Sequence, residues 1–201
     1  MNEIHETNTS LHETPIKKER NFFIEIIRFT IIAALIVIPF RMFIAQPFVV
    51  NGASMDPTFE SGEYLIVDQV SFYFKEPARD SVLIFKYPKD PSKYYIKRVI
   101  GLPGERVVIA GSTVTIFNES NPNGFALKEP YVAEEHAKTD TLDVTLKDNE
   151  YFVMGDNRSG SSDSRAWGPV EEEFIIGRPF VRLLPVGRFE FFPGDFETLN
   201  I

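Results

Sequence analysis

At 201 residues, with 21 Lys and Arg against 29 Asp and Glu, the chain carries a net charge of -8, the wrong sign for neutralising phosphates, which excludes nucleic acid as an expected partner. Cysteine is absent, which excludes disulfides, thiolate nucleophiles and Cys-ligated metals together and leaves the fold to be held by burial. With 19 Phe, 7 Tyr and 14 Pro, the composition favours short strands broken by turns, and once the N-terminal part is set aside about 150 residues remain for one mainly β domain.

Residues 1–21 are polar and aperiodic, read as a disordered tail, and they hold His5 and His12. From Phe22 to Val50 the chain is largely apolar. Its uncharged run, Phe29 to Phe40, is shorter than the ~20 helical residues that a ~30 Å hydrocarbon layer needs. Ile26 to Ala45 reaches that length, with Arg28 and Arg41 snorkelling to opposite interfaces and Pro39 bending the helix. A transmembrane anchor over 22–46 is therefore expected. A cleaved signal peptide fits less well, because Gln46-Pro47 lacks the small residues of a cleavage site. A buried helix would have no second long helix to pack against. Lys17, Lys18, Arg20 and Arg28 precede the apolar core, so a single pass of the cell membrane is expected, with the N-terminus cytoplasmic and residues 47–201 outside.

Beyond the anchor, Glu63–Asp68, Ser81–Lys86 and Tyr94–Ile100 read as strands rich in β-branched and aromatic residues, separated by Gly62, Pro77, Pro88 and Pro91. Arg106–Ile109 and Thr113–Phe117 read as a hairpin about Ala110-Gly111-Ser112. From Asn118 to Asn149 the composition turns polar, an excursion from the core sheet that includes Asn121-Pro122-Asn123-Gly124 and Glu134-Glu135-His136. The chain returns through Tyr151–Met154, a polar loop from Gly155 to Ser164, and a last strand around Phe180–Leu184.

A serine, Ser54, stands in Asn51-Gly52-Ala53-Ser54-Met55-Asp56-Pro57-Thr58, eight residues past Gln46. A tether of that length spans at most ~27 Å, so Ser54 works close to the bilayer if it works at all. A serine nucleophile needs a base, usually His. Only His136 is available on that side, in an acidic loop where solvation is its simplest reading. Lysine can serve instead where burial favours the free amine. Lys97 lies on a strand whose alternation puts Tyr95, Lys97 and Val99 on one face and Ile96, Arg98 and Ile100 on the other. Both faces are mixed, so the pattern leaves open whether Lys97 is buried or exposed. The Gly155–Gly168 stretch reads either as a flexible polar loop or as a packed one in which Asp163 and Arg165 pair and Ser161 reaches the site.

In this order, Gly-x-Ser-Met-x-Pro-Thr at Gly52–Thr58, Tyr-Ile-Lys-Arg-Val-Ile-Gly-Leu-Pro-Gly-Glu at Tyr95–Glu105, and Gly-Asp-Asn-Arg followed by Ser-x-Asp-Ser-Arg at Gly155–Arg165 resemble the type I signal peptidases, membrane-bound serine–lysine endopeptidases. The resemblance spans about residues 22–194. It implies a mainly β fold: an antiparallel β-sheet catalytic core over 47–201, with an inserted β-rich subdomain at about 107–149. It implies Ser54 as nucleophile, Lys97 as general base, Ser161 hydrogen-bonded to the lysine amine, and Asp163 with Arg165 as a supporting ion pair. No cofactor or metal is implied. The implied partners are the signal-peptide regions of exported preproteins and membrane lipid. The substrate would lie extended, with small residues at the first and third positions before the cut. Some members carry a serine two residues before the nucleophile that completes the oxyanion hole; here that residue is Gly52, which has no side chain to donate. The rival readings are a membrane-tethered β-domain that binds a protein partner without catalysis, and a self-cleaving serine–lysine repressor, which would need a DNA-binding domain.

Overall fold

The computed structural model describes residues 22–39 and 45–196, so the expected tail over 1–21 lies outside the described residues. The chain divides into two compact units, Met1–Ile38 and Pro39–Ile201. In the first, helix α1 runs from Phe22 to Pro39 over 18 residues, with Glu25 in its opening turn. Apolar residues surround the helix axis, and Ile24, Phe29, Leu35 and Ile36 are exposed. Among the described residues no helix is long and apolar enough to cross a membrane. Residues 40–44 of the expected anchor lie outside the described residues, and its last two, Ala45 and Gln46, belong to a strand.

The second unit is mainly β and its pairings are antiparallel. One sheet contains β1 (Ala45–Val49), β2 (Tyr64–Asp68), β3 (Val82–Tyr87), β4 (Asp90–Gly101), β9 (Glu150–Met154), β10 (Val170–Glu171), β11 (Ile175–Leu184) and β12 (Glu190–Phe191). Their spatial order is β1-β2-β11-β3-β4-β9-β10, with β12 on β11. The other sheet contains β5 (Arg106–Gly111), β6 (Thr113–Asn118), β7 (Asn121–Ala126) and β8 (Asp140–Thr145), in the order β7-β6-β5-β8. In sequence it lies between β4 and β9. The polar excursion read from Asn118 onward thus contains two strands. Asn121-Pro122-Asn123-Gly124, part of that excursion, belongs to β7, which among the described residues pairs with β6 alone and so tolerates a proline at the sheet edge.

Strand β11 changes partner along its length: Ile175 and Gly177 pair with β3, while Arg178–Leu184 pair with β2. Among the described residues the outer edge of β1 and that of the first half of β4, whose pairing with β9 begins only at Arg98, are left unpaired, and they face one another through Phe48 and Tyr94, with ring centres 5.3 Å apart. Three cores hold the unit. Ile100, Phe152 and Met154 pack on Val107, Ile109, Val114 and Ile116 of the inserted sheet. Leu83, Phe85, Val99, Tyr151 and Val153 form the second. Val50, Met55, Phe59, Leu65 and Val82 form the third. Because β9 and the second half of β4, Lys97–Gly101, are covered on both faces, their hydrophobic pattern does not alternate.

Candidate active site

Ser54 sits on the turn that joins β1 to β2. The turn closes at its base through Val50 N–H to the Glu63 carbonyl, 2.9 Å, and Gly62 N–H to the Val50 carbonyl, 2.8 Å. Met55 and Phe59 are buried in the third core, pulling the inner side of the turn into the protein and leaving Ser54 half-buried on the outer side. Gly52 has φ of +94°, in the left-handed region that a side chain disfavours, and its N–H donates to Ser61 Oγ at 3.3 Å. A hydroxyl donor at this position would therefore come with backbone strain.

The turn forms one wall of a cleft of about 470 Å³, walled on the other side by Lys93–Lys97 of β4, with Phe48, Leu65 and Ile84 contributing apolar surface. Lys97 enters the cleft where β4 has not yet met β9. Its Nζ donates to Ser54 Oγ at 2.7 Å and to the Ile96 carbonyl at 2.9 Å, and it lies 5.3 Å from the centre of the Tyr95 ring. Burial lowers the amine to about 8, overriding the pull of Asp163 and Asp156 in the other direction. A lysine that is half neutral near pH 8 can accept a proton from the hydroxyl it already touches.

The third part of the site is the loop after β9. Asn157 N–H donates to the Ser54 carbonyl at 3.1 Å, and its side-chain amide donates to the Ala53 carbonyl at 3.0 Å. Asp156 accepts two hydrogen bonds from Arg98, 2.9 and 2.6 Å, with both side chains fully buried, and a third from Thr58 Oγ1 at 2.6 Å. Asp163 caps the four-residue helix α2 (Ser164–Trp167) and pairs with Arg165 through Nε at 2.8 Å and Nη2 at 2.7 Å. Burial pushes the Asp163 carboxyl up, but Arg165, the Ser161 hydroxyl and the Gly155 N–H outweigh it and hold it below the usual range. Gly155 is where these pieces meet: a Cβ there would fall 2.3 Å from Ser161 Oγ and 2.3 Å from the Ser54 carbonyl oxygen.

Ser54, Lys97, Asp163, Arg165 and Ser161 are thus gathered in one place, with one difference from expectation. Ser161 Oγ is buried and faces Asp163 but makes no hydrogen bond to the lysine; the amine is satisfied by Ser54 and by the carbonyl of Ile96. His136 is not a solvated loop residue: its side chain is 18% exposed and its Nε2 lies 3.2 Å from Asp56 Oδ2. Residue-by-residue reading missed Asn157, Arg98, Asp156 and Gly155, whose roles are contacts to backbone and to one another across long sequence separations. The Gly-Asp-Asn-Arg run was the signal for Gly155, Asp156 and Asn157, and the Tyr-Ile-Lys-Arg run the signal for Arg98.

A serine hydroxyl is thus held against a buried lysine amine in the lining of a cleft. The model of the family described as signal peptidase, peptidase S26, matches residues 23–184. A probable signal peptidase I-2 of Synechocystis sp. is 34% identical over 95% of this chain and 88% of its own. Signal peptidase I T of Bacillus subtilis is 35% identical, covering 94% of each. A solved signal peptidase I from Enterococcus faecalis is 32% identical over 52% of this chain and 97% of its own, with a TM-score of 0.44. The chain belongs to the signal peptidase family, peptidase S26. It is a serine endopeptidase that removes signal peptides from preproteins.

Proposed function

We propose that Ser54 is the nucleophile and Lys97 the general base of this endopeptidase, with Asp163 and Arg165 as the ion pair that holds the 155–165 loop in place and Ser161 as a neighbour whose hydroxyl can turn toward the amine. The reading rests on the 2.7 Å contact between a lysine amine lowered to about 8 and a serine hydroxyl. Neutral Lys97 takes the Ser54 proton, Ser54 attacks the scissile carbonyl, and the resulting ammonium protonates the leaving amine. Water then deacylates the enzyme with the same base. The free edges of β1 and β4 suit a substrate that adds a strand between them, with its side chains resting on Phe48, Leu65 and Ile84.

The site works at a membrane in this reading, as a single-pass protein with tail 1–21 cytoplasmic, anchor 22–46 and peptidase domain 47–201 outside. In its support, α1 is apolar around its circumference apart from Glu25, Arg28 and Thr30, a surface that needs an apolar environment. The partners are exported preproteins and lipid. The test is cleavage of a preprotein by enzyme purified in detergent, the cut located by mass spectrometry, for wild type, Ser54→Ala and Lys97→Arg. Both variants are expected to be folded and inactive. Cleavage by folded Ser54→Ala overturns the assignment.

A further inference from the structure

The segment from β7 to the start of β8 belongs by sequence to the inserted sheet, yet it touches both loops of the site. Glu129 receives Arg158 through two hydrogen bonds, 3.0 and 2.5 Å. The His136 carbonyl accepts the Ser159 N–H at 3.0 Å. Asp140 accepts Arg165 Nη1 at 2.8 Å. These three contacts go to the 155–165 loop. The fourth, from the His136 side chain, reaches Asp56 at 3.2 Å, two residues past Ser54.

We infer that His136 is a positioning residue for the Ser54–Lys97 pair, acting through Asp56; the inference rests on the roles proposed above for those two residues. The inner side of the Ser54 turn is fixed by Met55 and Phe59 in the core, and its main chain is gripped by Asn157. Its outer side, where Asp56 stands, is tied through His136. A carboxylate only accepts, so His136 Nε2 donates, and both the neutral Nε2–H tautomer and the imidazolium supply that proton. His136 does not line the cleft, so its removal acts on the placement of the reacting atoms and not on the hold on substrate. Small misplacements of reacting atoms are costly: about 1 Å can lower a rate ~100-fold.

The experiment measures kcat and KM of the full-length enzyme in detergent, on a short peptide bearing a signal-peptide cleavage site, from pH 6 to 10. The variants are His136→Ala, His136→Gln, Asp56→Ala, the double His136→Ala/Asp56→Ala, and Ser54→Ala as reference, with thermal unfolding followed for each. A loss of about 10-fold in kcat is expected for His136→Ala, with KM within about twofold and the acidic limb of the profile unmoved. Glutamine places an amide N–H where Nε2 stands, so His136→Gln recovers most of the rate. The double variant is expected to be no slower than the slower single one. Unchanged kcat, a rise in KM alone, additive losses, or no recovery in the glutamine variant overturns the inference. A shifted acidic limb also overturns it, since His136 would then be a base. If the alanine variants unfold, the glutamine variant alone decides: a wild-type rate supports the inference, and a rate reduced 10-fold in a folded protein overturns it. Activity in Ser54→Ala instead overturns the underlying assignment, whatever His136 does.

Discussion

The behaviour of Lys97 follows from two opposed effects on one amine. Burial lowers it to about 8, while Asp163 and Asp156 pull it back up. Below that value the neutral fraction falls about tenfold per pH unit, so kcat/KM is expected to climb about tenfold per unit up to pH 8 and to level above it. Lys97→Arg, which stays protonated, is expected to be inactive throughout; a pH–rate profile that retains the climb in that variant refutes the base. Asp163→Asn removes the largest of the upward pulls, so the climb should move to lower pH provided the loop holds. Ser161→Ala is expected to cost far less than Ser54→Ala, because Ser161 Oγ makes no hydrogen bond to the amine in this structure. Gly155→Ala is expected to be severe for the opposite reason. The added methyl collides with Ser161 Oγ and the Ser54 carbonyl, and a fall in kcat of about 100-fold, with a loss of stability of about 1–3 kcal/mol, should be seen by peptide kinetics and thermal unfolding.

Among the elements, β4 carries the most. Its residues Lys97 and Arg98 are adjacent and both buried, one facing Ser54 and the other Asp156. Asp156→Asn is expected to destabilise by about 3–5 kcal/mol, since it leaves the Arg98 charge buried without its counter-charge; denaturant unfolding measures this. A midpoint unchanged from wild type would mean that the Asp80 and Gly194 carbonyls, which also accept from Arg98, suffice to hold it. The same strand explains how much could be read in advance. Its central run was legible from β-branched and aromatic residues, and so were β2, β3 and the β5–β6 hairpin. The burial of both faces of its second half was not, because periodicity distinguishes a covered face only when the other is wet. The candidate residues Ser54, Lys97, Asp163 and Arg165 were legible as motifs in a fixed order. What tied them together was hidden: Asn157 reaches the Ala53 carbonyl across 104 positions and His136 reaches Asp56 across 80. Local sequence holds no record of such pairings. Strand β7 was missed because Pro122, Asn123 and Gly124 are turn formers, overridden here by pairing with β6.

For the whole molecule, the peptidase unit has its own three cores, so residues 1–44 are expected to be removable without loss of the fold. The truncated enzyme should cleave short peptides at a rate near wild type and membrane-embedded preproteins less efficiently, since an anchor confines enzyme and substrate to one surface. Comparison of kcat/KM on the two substrates checks this; equal losses on both would mean that the segment supports the catalytic unit. The cleft between β1 and β4 has one more consequence. A peptide bound there as a strand turns alternate side chains to the cleft floor, so it can be read only in steps of two. Sliding by one residue would turn outward every side chain that had faced Leu65 and Ile84, whereas sliding by two would restore the same facing set. When a bulky residue blocks the normal cut, the substitute cuts seen by mass spectrometry should fall an even number of residues away, a parity imposed by the pleat of the backbone.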